Sequence, residues 1–134
     1  MQAKPIPTRH SEAAMANPFV HVELNTPDVD RAKSFYCKLF DWKMEDMPMP
    51  GGSYTIINVG EGTGGGLLKH PMPGAPSMWL AYVLVDDIGA STRQAKSLGG
   101  SVKKDVTEVP GVGWFSIIED PTGAVLALWK PKPK

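Results

Sequence analysis

FVHVELNTPDVDRAKSFYCKLFDW, residues 19–42, places two periods back to back. Phe19 to Asn25 alternates and is rich in valine, the pattern of a half-buried strand. Thr26-Pro27-Asp28 then reads as a helix start. Thr26 is the expected capping side chain, Pro27 suits the first helical position, and Asp28 and Asp30 favour the positive end of the helix dipole. Val29, Ala32, Phe35, Tyr36, Leu39 and Phe40 recur at helical spacing and predict one buried stripe. The same order returns over residues 78–100, MWLAYVLVDDIGASTRQAKSLGG. Met78 to Val85 predicts a strand and Asp86-Asp87 a helix start. Ile88, Ser91, Ala95 and Leu98 form the second inner stripe, and Gly99-Gly100 ends the helix. Asp28 and Asp87, Val29 and Ile88, and Leu39 and Leu98 each stand 59 apart.

The segments beyond each helix repeat as well. After the first come a strand from Trp42 to Asp46 and a loop over Met47 to Ser53. A strand from Tyr54 to Val59, a glycine-rich turn over Gly60 to Gly64 and a strand from Gly65 to Lys69 complete that half. After the second come a strand from Ser101 to Glu108, a loop over Val109 to Gly113 and a strand from Trp114 to Glu119. Asp120 to Gly123 makes a β-turn with Pro121 second, and Ala124 to Lys130 is the last strand. Tyr54 and Trp114, Ile57 and Ile117, and Leu68 and Leu128 each stand 60 apart. A Pro/Gly-rich linker over residues 71–77 separates module one, about 19–70, from module two, 78–130. One helix per four strands covers one sheet face only. The other faces must close on each other or on a second chain.

The 134 residues make one domain over 19–134, preceded by an arm over 1–18 expected to be mobile. Met1 and Met15 are both eligible as the natural start. Lys+Arg and Asp+Glu balance at 14 each, so the chain has no electrostatic grip on phosphate and nucleic acid is excluded as a partner. No apolar run approaches the roughly 20 residues of a membrane span. The N-terminus has no hydrophobic signal core. The single cysteine, Cys37, permits no internal disulfide, and a cytoplasmic location is expected.

HVELNTPDVDRAKSFYCKLFDW resembles the opening of vicinal-oxygen-chelate proteins, the group of glyoxalase I, the bleomycin-resistance proteins and the extradiol dioxygenases. MWLAYVLVDDI, AKSLGG and EVPGVGWFSIIEDPTGAVLALW supply matching marks in the second half, so the resemblance spans roughly residues 18–131. It is closest to short bacterial glyoxalase-like proteins. The resemblance implies an α+β fold of two βαβββ modules forming curved mixed sheets around a cavity, and a homodimer. In the family's enzymes a divalent metal in that cavity chelates two neighbouring substrate oxygens as a Lewis acid. One ligand comes from the first and last strand of each module.

Carried onto this chain, those four positions fall on His21, Leu67 or a neighbour, Leu80 and Ala127. One imidazole does not hold a catalytic divalent ion, since three or four N/O ligands are needed. Glu23 adds a carboxylate and leaves the set short; His70 lies in the linker. The expected protein therefore binds a small molecule in an aromatic-lined cavity with no cofactor. The alternative is a glyoxalase-like lyase/isomerase or dioxygenase whose metal is held in part by His21.

Strand parity selects the cavity side chains. Phe19, His21 and Glu23 share a face, with Val20, Val22 and Leu24 turned to the helices. Leu80 and Tyr82 share it, as do Val125, Ala127 and Trp129; Trp114, Ser116 and Tyr54 are further candidates. His21, Glu23, Tyr82, Trp114 and Trp129 are the expected ligand-binding set. His21 and Glu23, roughly 7 Å apart on one strand, are the catalytic candidates, a neutral imidazole beside a carboxylate being able to act as a general base. The bland alternative is that His21 is simply hydrogen-bonded in place. Trp79 and Trp129 either stack on a flat ligand or pack. Gly64-Gly65-Gly66 lacks the Lys-Ser/Thr and helix of a phosphate loop and predicts a turn or a close approach of strands.

Overall fold

A computed structural model describes residues 16–49 and 51–133. Its elements are β1 (Phe19–Thr26), α1 (Val29–Leu39), β2 (Lys43–Met49), β3 (Gly52–Asn58), β4 (Gly65–Lys69), β5 (Met78–Leu84), α2 (Ile88–Ser97), β6 (Ser101–Val109), β7 (Gly113–Glu119) and β8 (Val125–Pro131). This is βαβββ twice, as the repeat predicts. The eight strands form one mixed sheet in the order β2-β3-β4-β1-β5-β8-β7-β6. Within each module the first strand lies parallel to the last, β1 beside β4 and β5 beside β8. The modules join edge to edge through antiparallel β1 and β5, with Val22 opposite Ala81 and Glu23 opposite Leu80.

The helix starts are set by aspartates. Asp28 is the cap of α1 and accepts from the Arg31 N–H, and Asp87 does the same for Ala90 in α2. Thr26, the expected cap, sits two residues too early. Its hydroxyl accepts instead from the Asp28 N–H and pairs with Ser77 Oγ at 2.8 Å, and Pro27 stays outside the helix. The loop expected over Met47 to Ser53 is largely strand, for Met47 pairs with Tyr54 and Met49 with Gly52. Pro48 is tolerated because β2 is an edge strand, where a missing N–H breaks no ladder. Gly51, at φ 86°, takes the left-handed turn.

Both helices pack on the same sheet face. Leu24, Ile57 and Leu67 form a core under α1 with Val29, Ala32 and Tyr36. Val85, Ile88 and Leu128 form a second under α2. The predicted stripe of α1 is only half realised, since Phe35, Leu39 and Phe40 are exposed, as is Leu98 after α2. The arm expected over residues 1–18 lies outside the described residues except at its end. There Asn17 Nδ2 donates to the Leu84 carbonyl and Pro18 accepts from the Leu84 N–H, so these two residues are tied to β5.

Candidate functional site

The face turned away from both helices carries Leu80, Tyr82 and Ala127, packed with Phe115, Ile117, Val125 and Trp129. Among the described residues no helix covers this face, yet Leu80 is 4 % exposed and Ala127 0 %. The sheet must therefore curve so that its own side chains shield one another. Parity holds for β5 and β8. It fails at the start of β1, where the register shifts between Phe19 and His21. That bulge turns Val20 onto this face, against the Leu80 cluster, rather than toward the helices.

Glu23 lies at the centre, nine-tenths buried. Its Oε2 accepts from the Tyr54 hydroxyl at 2.8 Å, and its Oε1 from the Tyr82 hydroxyl at 3.0 Å and from Asn25 Nδ2 at 3.2 Å. His21 Nε2 lies 2.6 Å from the Tyr54 hydroxyl. A phenol has one proton, and here it is given to the carboxylate, so His21 must donate from Nε2–H. In a neutral imidazole this places the proton on Nε2 and the lone pair on Nδ1. Burial lowers the His21 pKa below its ordinary value, more than the Glu23 charge raises it. Burial first, and the Glu23 charge second, push both phenols far above the ordinary tyrosine range, so each remains a neutral donor.

Tyr54 reaches Glu23 across an intervening strand. Its β3 neighbour Ile56 pairs with Gly66, and Gly66 pairs with Glu23 on β1. A Cβ on Gly66 would collide with the Tyr54 ring and hydroxyl, the three nearest atoms to it. Gly66 is thus bare because the ring lies over it. The close approach expected of Gly64-Gly65-Gly66 is found, and Gly65 likewise lies too near the Val22 carbonyl for any side chain.

The other expected site residues divide between the two faces of the sheet. Trp129 does face the site, with its ring 6.5 Å from that of Tyr82. Trp114 and Ser116 do not. Ser116 is fully buried against α2, bonded to Thr92 Oγ1 at 2.8 Å, and Trp114 packs on the Val85–Ile88–Leu128 core. The reason is parity, since Phe115 and Ile117 occupy the site side of β7. Trp79 is also on the helix side, 5.6 Å from the Tyr36 ring. His70 Nδ1 accepts from the Met72 N–H within the linker. Two grooves, of about 310 and 470 Å³, flank α2 and α1; neither is lined by His21 or Glu23.

A divalent metal does not fit the residues present. Leu67 is fully buried toward α1, so the module-one position belongs to Gly66. The four ligand positions therefore read His21, Gly66, Leu80 and Ala127, with one donor among them. Glu23 is engaged by three hydrogen bonds, and among the described residues no group of three His, Cys, Asp or Glu side chains could hold an ion.

"Putative glyoxylase CFP32" of Mycobacterium tuberculosis is 33 % identical over 130 residues, covering 94 % of this chain and 50 % of the relative. "Anthracycline biosynthesis protein DnrV" of Streptomyces peucetius is 28 % identical over 123 residues, 81 % of this chain and 45 % of that one. The chain thus spans about half the length of these relatives. Methylmalonyl-CoA epimerase from Mycobacterium tuberculosis superposes with a TM-score of 0.68 at 17 % identity, over 93 % of this chain and 95 % of that one. A hypothetical protein from Bacillus halodurans gives 0.69 at 14 %, over 89 % and 97 %. These two likenesses show the fold alone. The model of the Glyoxalase/Bleomycin resistance protein/Dioxygenase superfamily matches residues 19–128, and the chain belongs to that superfamily.

Proposed function

We propose that the protein binds a small organic molecule on the face formed by His21, Glu23, Tyr54, Tyr82 and Trp129, without a divalent metal. One observation carries this reading. A buried carboxylate is held by two phenols and an amide at a place where three of four metal-ligand positions have no donor. Buried polar clusters of this kind fix the orientation of a ligand, and the apolar rings around them supply contact area. Metal analysis of the purified protein, with thermal-shift screening of metabolites and antibiotics, tests it. Binding without metal is expected; stoichiometric zinc, nickel, iron or manganese surviving purification overturns it.

A second reading makes the same cluster catalytic. His21 kept neutral beside Glu23 supports a metal-independent lyase or isomerase in which one of the two moves a substrate proton. Substrate-dependent exchange of solvent deuterium that disappears in Glu23→Gln favours it over binding alone. A cytoplasmic location rests on the lone, exposed Cys37. Among the described residues, no helix is long and apolar enough to cross a membrane.

We also propose that the chain pairs with a second copy through module one. Phe35, Tyr36, Phe40, Trp42 and Trp79 form one run of ring contacts, and three of the five are exposed large apolar groups. At the equivalent places module two has Gln94, Ala95, Gly99 and Ser101. The aromatic surface is therefore peculiar to one half, which favours a partner over a shared feature of the fold. A second copy of this chain, presenting the same exposed rings, is the fitting occupant. Sedimentation should give a dimer that Phe40→Ser/Trp42→Ser dissociates; a wild-type monomer refutes the pairing.

A further inference from the structure

We infer that the ligand is a small organic cation, with its charged nitrogen set against Glu23 Oε2 and its body against the rings of Tyr54, Tyr82 and Trp129. The inference rests on the binding reading and specifies the ligand's chemistry.

Among the described residues Glu23 has no cationic partner. Glu23 is nine-tenths buried, and its three donors, Tyr54, Tyr82 and Asn25, are all neutral. The ion pairs among the described residues are Lys33–Asp46 and Lys132–Glu108, neither of which involves Glu23. His21 points its Nε2–H at the Tyr54 hydroxyl and gives the carboxylate no direct hydrogen bond. Among the described residues no cationic side chain is bonded to this carboxylate, and a buried carboxylate is costly unless something supplies the opposite sign.

The carboxylate has an acceptor position that no described residue uses. An ionised carboxylate offers about four lone-pair sites. Oε1 uses two and Oε2 one, so the unfilled site is on Oε2, beside Tyr54 and His21. Aromatic rings neighbour the carboxylate, with Tyr54 bonded to Oε2 and Tyr82 to Oε1. The His21 and Tyr82 rings lie 5.3 Å apart and Tyr82 and Trp129 6.5 Å apart. Rings beside a carboxylate are the surroundings that favour an ammonium group, which gains from the ring quadrupoles as well as from the counter-charge. A neutral ligand would leave the charge uncompensated, and an anion would add to it. A divalent metal is not the cation, because the other ligand positions are Gly66, Leu80 and Ala127.

Three probes of one shape decide the matter: 2-naphthylmethylammonium, 2-naphthylmethanol and 2-naphthoate, titrated calorimetrically into the wild type and into Glu23→Gln. The ammonium probe should bind the wild type at least about tenfold more tightly than the alcohol, with the carboxylate weakest. In Glu23→Gln the gap between ammonium and alcohol should close to within about twofold. If the alcohol or the carboxylate binds as tightly as the ammonium, the charge inference fails while the binding reading stands. If no probe binds, both fail. A preference for the ammonium that persists in a folded Glu23→Gln also overturns the assignment to Glu23. The wild-type comparison stands alone should that variant not fold.

Discussion

Adding one methyl group at Gly66 should evict Tyr54, and the size of the effect is set by the bonds that ring holds. The three atoms nearest a Cβ built on Gly66 all belong to the Tyr54 phenol, and all are well inside contact distance. Gly66 is not among the glycines with positive φ, so its backbone accepts alanine without strain. The cost of Gly66→Ala is therefore the displacement of the ring. Losing the bond to the Glu23 carboxylate costs about 1.5–3 kcal/mol, and losing that to His21 about 0.5–1.5. A total of about 2–4.5 kcal/mol is a large share of the ~5–15 kcal/mol that keeps a domain folded. In a Tyr54→Ala background the obstacle is gone. There the same substitution should be neutral, or stabilise by about 0.4–1 kcal/mol through the lost flexibility of glycine in the unfolded chain. Urea unfolding followed by tryptophan fluorescence, on all four members of the cycle, reads the coupling directly. An equal cost of Gly66→Ala in both backgrounds would refute the placement of Tyr54 over that glycine.

The remaining predictions concern single groups. Because burial depresses the His21 pKa in the folded state, the unfolded chain binds that proton more readily. Its contribution to stability is whole above about pH 6.5 and is lost as pH falls through the lower folded value; His21→Gln should flatten this part of a stability–pH curve, and an unchanged slope counts against the assignment. Glu23→Gln removes the second of the causes that raise the Tyr54 and Tyr82 pKa values, so spectrophotometric titration should find both phenols ionising earlier, though still above the ordinary range because burial remains. Thr92→Val should cost about 1–3 kcal/mol, leaving the fully buried Ser116 hydroxyl without a partner. Ser116→Ala should cost less, about 0.5–1.5 kcal/mol, because Thr92 keeps its bond to the Ile88 carbonyl; thermal unfolding giving the reverse order would contradict the described pairing.

The duplication was legible because each helix start and each strand face repeats at nearly constant spacing. Parity then placed Tyr82, Leu80, Ala127 and Trp129 on the right face of β5 and β8. It misplaced Val20, because nothing in a valine-rich strand announces the bulge before His21. It misplaced Trp114, because β7 begins at Gly113 and puts Phe115 and Ile117 on the site side. The module-one ligand position, legible only as Leu67 or a neighbour, is Gly66, because the glycines of that strand carry no pattern that fixes it to one residue. Tyr54 was only one candidate among several, and its role was hidden because it depends on a missing side chain on the strand between it and Glu23. The apolar stripe of α1 was readable, but its partner was not, since periodicity says that a face avoids water and not what covers it.

At the seam between β1 and β5 the two halves of the repeat meet. Glu23 and Tyr82 stand 59 residues apart, the spacing of the internal repeat, and the hydrogen bond between them crosses the pseudo-twofold axis of the sheet. Two identical chains meeting on such an axis would present the same group twice, carboxylate to carboxylate or phenol to phenol. One would repel and the other would leave no charge to anchor anything. Joining both halves in a single chain lets the two positions differ, so that one supplies the acceptor and the other the donor. The asymmetry at this one contact gives a symmetric scaffold a direction, with an acceptor on one side of the seam and a donor on the other.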